Sequence, residues 1–436
     1  MDVQLPSRQM PFSRRIGYGE AARALCAWVY HAPGACALDD DVCIESHLNK
    51  TAHARGTSVD DVRQRTLNEC MREYVLGPSS TQNPTATAPT RGRHHLQPLH
   101  STICTRSDER QPPLLWIVVI VRLQSRGLTH WLSWHLALGA SRILVFDNHR
   151  ENEQVARAAL AASVAPFGDR VRLIRWAGDA RQNAANERAL QLASAANVSF
   201  LGALDADEYA APFADGCLTN LLESCLDAAR CGGISLNWRM TMASAITHDP
   251  LVDATSHGRS GGRRVVPSDP GGVAREVSLL RAVGFETGRL DLHVKTFARV
   301  ATHRAGSFAA HNNVPTSPFC LFGEDLKPIR GCRGASWARS PPTGARALIV
   351  HAKCTSLIHW VFKRSMRGEV AFSISAVRCP TCSGSLAAIW DEFNRTCARE
   401  AMTLEGGTSA ARGLLDGEVR ERLGVFLRRM DAAVAR

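Results

Sequence analysis

The run Ser199-Phe-Leu-Gly-Ala-Leu204 leads straight into Asp205-Ala206-Asp207-Glu208-Tyr209. Carboxylates at i and i+2, with a small alanine between them, can converge on one divalent cation where a chain leaves a strand and turns. Such a cation bridges a diphosphate and stabilises the charge that it carries away on departure. A second acidic residue, Asp147, follows the apolar run Ile143-Leu-Val-Phe146. Ligands of open α/β sheets bind outside the carboxyl ends of strands, and both acidic positions fit that placement. The plainer reading of each is an acidic turn that caps the next helix.

These positions depend on the elements that carry them. Leu115-Trp-Ile-Val-Val-Ile-Val121 is nearly all apolar, as a strand buried on both faces requires. Thr129 to Leu138 places Trp131, Leu132, Trp134, His135 and Leu138 at helical spacing, and Gly139 stops it. A strand over 143–146, a helix over 156–164, a strand over 171–176 and a helix over 182–196 come next. Strands alternating with helices specify a sheet with helices on its faces. Residues 1–112 form an N-terminal extension: 59–75 is helical, with Val62, Leu67, Cys70, Met71 and Val75 on one face, and 77–113 is too polar to order itself. The catalytic domain is expected over 113–370, and 371–436 closes the chain with a helical segment. There Leu414, Val419, Leu423, Val425, Phe426 and Met430 can pack inward, with Arg420, Arg422, Arg428 and Arg429 left for solvent.

Composition removes several classes. With 45% hydrophobic and 21% charged residues the 436-residue chain is globular, neither wholly disordered nor fibrous. The formal charge is +11, yet Lys50, Lys295, Lys327, Lys353 and Lys363 are the only lysines among 52 basic residues. The arginines do not alternate with aromatics as a single-strand binder needs, so no nucleic-acid partner is expected, whereas the overall field suits an acidic or phosphorylated small ligand. The apolar run 114–121 is too short to span a bilayer, and residues 1–25 lack the apolar core of a signal peptide. Membrane association is expected only through an anchor missing from this sequence or through the basic C-terminal helix. Of fourteen cysteines only Cys379 and Cys382 make a CxxC, and without a second pair no zinc ribbon follows. Sequons begin at Asn49, Asn197 and Asn394, and the one at Asn197 abuts a strand expected to be buried.

Taken in order, Trp131-Leu132, His135, Leu138-Gly139, Phe146-Asp147-Asn148, Gln182 and Asp205-Ala-Asp207-Glu208-Tyr209 form a pattern. Trp238-Arg239, Lys295 with Arg299, His311, Val350-His351, Ser356, Trp360, Lys363 and Arg367-Gly368 continue it. Over roughly 114–370 the pattern resembles the nucleotide-diphospho-sugar glycosyltransferases of the GT-A fold, specifically the family-2-like and family 92 group. The resemblance implies an α/β fold, a Rossmann-like mixed sheet flanked by helices. It implies Asp207 as the direct metal ligand and Asp205 as a contact to ribose or to a metal-bound water. His311 or His351 would be the third protein ligand, which favours Mn2+ over Mg2+. Asp147 would accept from the uracil N–H or the ribose. Lys295 and Arg299, four apart on a strand and so on one face, would neutralise the diphosphate. Trp238 and Arg239 would lie beside the nucleotide sugar, although Trp238 after Ile234-Ser-Leu236 fits the core as well. Asp249, Asp253 and Glu276 are the candidates for the general base.

The sequence also departs from that group. Lys-Asn-Glu is replaced by Arg122-Leu123-Gln124, and the glycine-bearing loop expected after Trp-Arg reads Met240-Thr-Met-Ala-Ser-Ala245. The expected activity is metal-dependent transfer of a hexose from a UDP-linked or similar nucleotide sugar to a glycan or other hydroxyl acceptor, with inversion. The alternatives are an inactive transferase-derived binding or scaffold protein, and a nucleotidyltransferase. The expected location is a secretory lumen or membrane if an anchor precedes this sequence, and otherwise the cytoplasm.

Overall fold

The apolar run at Leu115 becomes β1 (Leu115–Val121), and six of its seven side chains are buried. The computed structural model describes residues 41–63, 65–66, 104, 114–122, 127–151, 153–178, 181–241, 285–286, 293–309, 313–329, 346–351 and 417–434. These fall into two units, Met1–Tyr74 with Ala245–Pro267 and Ser356–Arg399, and Val75–Ser244 with Ser268–Thr355 and Glu400–Arg436. In the first, α1 (Asp41–Arg55) turns at Gly56 into helical residues 59–63 and 65–66. Leu48, Ala52 and Val62 are buried, and Arg63 pairs with both Glu45 and Asp60. The remainder of the helix expected up to Val75 lies outside the described residues.

In the second unit the strands alternate with helices as their apolar periodicity dictates. After β1 come α2 (Leu128–Ala137), β2 (Arg142–Asp147), α3 (Gln154–Val164), β3 (Val171–Arg175), α4 (Gln182–Ala195), β4 (Phe200–Ala203), β5 (Glu208–Ala211) and α5 (Leu218–Asp227). Then β6 (Cys231–Thr241), β7 (Phe285–Glu286), β8 (Val294–Arg299), β9 (Cys320–Phe322), β10 (Leu348–His351) and α6 (Gly417–Val434) complete it. The strand order is β3-β2-β1-β4-β8-β6-β10-β5, and β7 and β9 also pair with β6. β3, β2, β1 and β4 run parallel, β8 runs against both β4 and β6, and β5 runs against β10. The unit is thus a mixed α/β sheet with helices on its faces.

Side-chain alternation sorts the core into two layers. Leu115, Ile117 and Val119 of β1 join α2 and α5 on one face, while Trp116 and Val118 join Ala185, Ala189 and Ala193 of α4 on the other. Gly139 ends α2 with φ 102°, and a β-carbon there would lie 2.8 Å from Thr219. Gly202 lets β4 pass under the Phe297 ring, 2.6 Å from where a β-carbon would stand. α6 seats Leu423, Phe426, Met430 and Ala433 inward, with Phe426 edge-on to Trp134, while Val425 is exposed.

Residue 104 lies within the stretch expected to be a linker, yet a disulfide joins Cys104 to Cys217 across 113 residues of sequence, and a second joins Cys225 to Cys231. Cys379 and Cys382 lie outside the described residues. Asn197 is exposed at φ 51°, closing α4 in the left-handed region that asparagine tolerates, while Val198 after it in the sequon is buried. Among the described residues no helix is long and apolar enough to cross a membrane.

Candidate functional site

Because β4 and β10 are parallel to β1 and β6 respectively, and β8 is antiparallel to both β4 and β6, one end of the sheet gathers the end of β4, the start of β5, the start of β8 and the end of β10. That end holds Asp205, Asp207, Glu208, Lys295 and His351. The Lys295 side chain is fully buried, with Nζ 3.2 Å from Asp205 Oδ2 and 3.1 Å from Glu208 Oε2. Gln182, at the first position of α4, donates from Nε2 to Asp205 Oδ1 at 2.8 Å. Glu208 Oε2 also accepts from the Asp205 backbone N–H at 2.7 Å, which ties the turn to itself. Burial pushes Glu208 up to about 8, against the pull of Lys295 and with the push of Asp205 and Asp207. Burial alone would lower Lys295, but Asp205 and Glu208 outweigh it and hold the ammonium above its usual range.

Asp207, only 5% exposed in its side chain, faces His351 with Oδ2 and Nε2 3.5 Å apart. An oxygen donor from the turn and a nitrogen donor from β10 at this spacing can serve one divalent cation that takes mixed oxygen and nitrogen ligands, such as Mn2+. Among the described residues no three His, Cys, Asp or Glu side chains are grouped to hold a metal, and Asp207 and His351 are the pair of donors that those residues place face to face here. Trp238 sets the imidazole in place: His351 packs on its ring at 4.3 Å and His293 stacks on it at 4.8 Å. With two imidazoles against it and Lys295 Nζ 5.9 Å from its centre, Trp238 is a buried support for the site.

The strand β5 lies at the edge of the sheet, where outward backbone groups need partners. Side chains of α2 supply them. Trp131 Nε1 donates to Glu208 O at 2.7 Å, and Trp134 Nε1 donates to Ala210 O at 2.9 Å. His135 Nδ1 lies 2.9 Å from Trp131 O and must donate there, which leaves Nε2 to accept from the Ala210 N–H at 3.4 Å. The Trp-Leu-x-x-His pattern therefore clamps the strand that follows the acidic turn.

Asp147 ends β2 in a network of its own. Its Oδ1 accepts from the His149 ring Nδ1 at 2.6 Å and from the His149 backbone N–H at 3.1 Å. Oδ2 lies 3.5 Å from both Arg157 and Arg175. Arg122 pairs with Glu153 at 2.9 Å, and Asn148 donates to Trp176 O and Gly178 O. Asp147 thus already has protein donors around it, a setting that its expected contact with a base or ribose did not include.

Arg299 stands opposite Phe200 at the start of β4, while Lys295 reaches the acidic turn that follows β4. Four residues of strand separate them by roughly 13 Å. Sharing a face does not bring Arg299 to the cluster, and its guanidinium lies 5.9 Å from the Phe319 ring instead. Arg239 occupies β6 opposite Val350, and its side chain lies outside the described residues, as do Asp249, Asp253, Glu276 and His311. Gln182 and Glu208 stood in the sequence pattern without a role, and His293 was not in it at all. A Gln opening a helix and an acid following a DxD turn were the available signals for the first two.

No family model and no curated protein matches the sequence. Among solved structures the chain is similar to a mannose-1-phosphate geranyltransferase from Thermus thermophilus, at 19% identity and a TM-score of 0.20. The similarity covers 29% of this chain and 41% of that one, so the chain spans less than half the length of the protein it matches.

Proposed function

We propose that the chain is a metal-dependent transferase that takes a hexose from a nucleotide diphosphate sugar, UDP-linked, and passes it to a glycan or other hydroxyl acceptor. The observation that carries this reading is the convergence of Asp205 and Asp207 after β4 on Lys295 and His351 from two other strands. Asp207 and His351 would hold Mn2+ or Mg2+, and the bound cation would supply charge stabilisation to the departing diphosphate. The chain's own residues do the rest. Gln182 and Lys295 fix the turn, Trp238 fixes the His351 ring, and α2 fixes β5 behind them. A carboxylate among Asp249, Asp253 and Glu276 is proposed to take the acceptor proton, giving inversion through a single displacement. Disulfides such as Cys104–Cys217 and Cys225–Cys231 favour an oxidising compartment for this chemistry.

Titration calorimetry of UDP with and without Mn2+ tests the reading. Binding that requires the cation and disappears in Asp207→Asn supports it. Absence of binding to folded wild-type protein refutes it in favour of a transferase-derived scaffold, a reading for which the occupied Asp147 network is the specific observation.

A further inference from the structure

The two aspartates of the turn are not equivalent, although their spacing makes them look so. Asp207 faces His351 across 3.5 Å. Asp205 is turned the other way and has both oxygens engaged: Oδ1 accepts from Gln182 at 2.8 Å, and Oδ2 lies 3.2 Å from the Lys295 ammonium. Lys295 cannot swing clear, because its side chain is fully buried and is also held by Glu208 at 3.1 Å. The tether is thus built from two elements, α4 and β8, that meet only in the folded unit. It explains why a turn that carries Asp205, Asp207 and Glu208 yields no group of three metal donors among the described residues.

We infer that Lys295 and Gln182 are positioning residues that withhold Asp205 from the cation, so that Asp207 and His351 are its only donors from this turn and strand and the diphosphate must complete its coordination. This rests on the cation reading of the site proposed above. An added anionic ligand tightens a divalent site, so withholding Asp205 keeps affinity for the bare cation low. The metal then enters and leaves with the diphosphate, and product release does not have to compete with a permanently held ion. Asp205 remains as a hydrogen-bond acceptor fixed beside the site. Lys295, which the sequence pattern offered as a direct diphosphate contact, acts beneath the turn.

The test is Mn2+ binding in the absence of nucleotide, followed by the electron paramagnetic resonance signal of free Mn2+, in wild type, Gln182→Ala, Lys295→Met and each of these combined with Asp205→Asn. Gln182→Ala removes a neutral donor and changes no charge. It is expected to tighten binding of Mn2+ alone by about tenfold, the effect of recruiting one more carboxylate. Adding Asp205→Asn must abolish that gain. Lys295→Met is expected to tighten it further, and the part that survives Asp205→Asn is the field of the lost ammonium. A gain in affinity is a readout that mere damage to the fold would not give. If Lys295→Met fails to show a wild-type melting transition, Gln182→Ala decides alone. Unchanged or weaker Mn2+ binding in folded Gln182→Ala overturns the inference, provided wild type binds Mn2+ with UDP. If wild type binds no Mn2+ even with UDP, the cation reading itself falls and the inference with it.

Discussion

Acidification should unlatch β5, because His135 has a role that only its neutral form can play. The ring is fully buried, donates from Nδ1 to Trp131 O and accepts at Nε2 from the Ala210 N–H. A second proton on Nε2 would point at that N–H, a donor facing a donor. Burial accordingly pushes His135 down to about 3, helped by its neighbour His130, which burial pushes down to about 4. An unfolded histidine titrates near 6.5, so between that value and the folded one the unfolded chain binds more protons. The stabilisation is complete above pH 6.5 and is lost as pH falls towards the folded values. Each pH unit in that window removes about 1.4 kcal/mol per histidine, so at about pH 4.5 His135 alone withdraws roughly 2–3 kcal/mol. His135→Gln keeps an N–H for Trp131 O and an oxygen for the Ala210 N–H but does not titrate. Urea unfolding followed by tryptophan fluorescence at about pH 7 and about pH 4.5 should show wild type losing roughly 2–3 kcal/mol more than His135→Gln. Equal losses in the two proteins would refute the latch.

Other outcomes follow from single contacts. The disulfide between Cys104 and Cys217 closes a 113-residue separation, so on the chain-entropy model Cys104→Ser should cost about 4–5 kcal/mol. A melting temperature unchanged in Cys104→Ser relative to the oxidised wild type would show that the bond carries no such load. Gly202→Val should lose about 1–3 kcal/mol or more, since even its β-carbon would fall 2.6 Å from the Phe297 ring; Gly202→Val/Phe297→Leu should recover part of the loss, and no recovery in chemical denaturation would rule out this clash as the cause. Arg122→Ala should lower stability by about 1–3 kcal/mol, because Glu153, 18% exposed, would keep its charge without its bidentate partner. A double-mutant cycle with Glu153→Gln that shows no coupling would contradict this.

The local elements of the main unit were legible in the chain because each is short-range. The strand at Leu115–Val121 matches its apolar run residue for residue, and Gly139 closes α2 because only a residue free of a β-carbon takes φ 102° beside Thr219 without strain. The acidic turn after β4 was legible for the same reason. Its wiring was not. Lys295 is ninety residues from Asp205, and only the antiparallel return of β8 along β4 brings one to the other. That same reversal carries Arg299 away from the cluster, although a period of two puts it on the face of Lys295. α1 went unread because its sequence carries little amphipathic pattern, and the Cys104–Cys217 link was hidden because pairing among fourteen cysteines depends on distances in space. Residue types and spacing determined which groups could do chemistry; strand direction and register decided which of them meet, because long-range pairing is a property of the sheet and not of any segment in it.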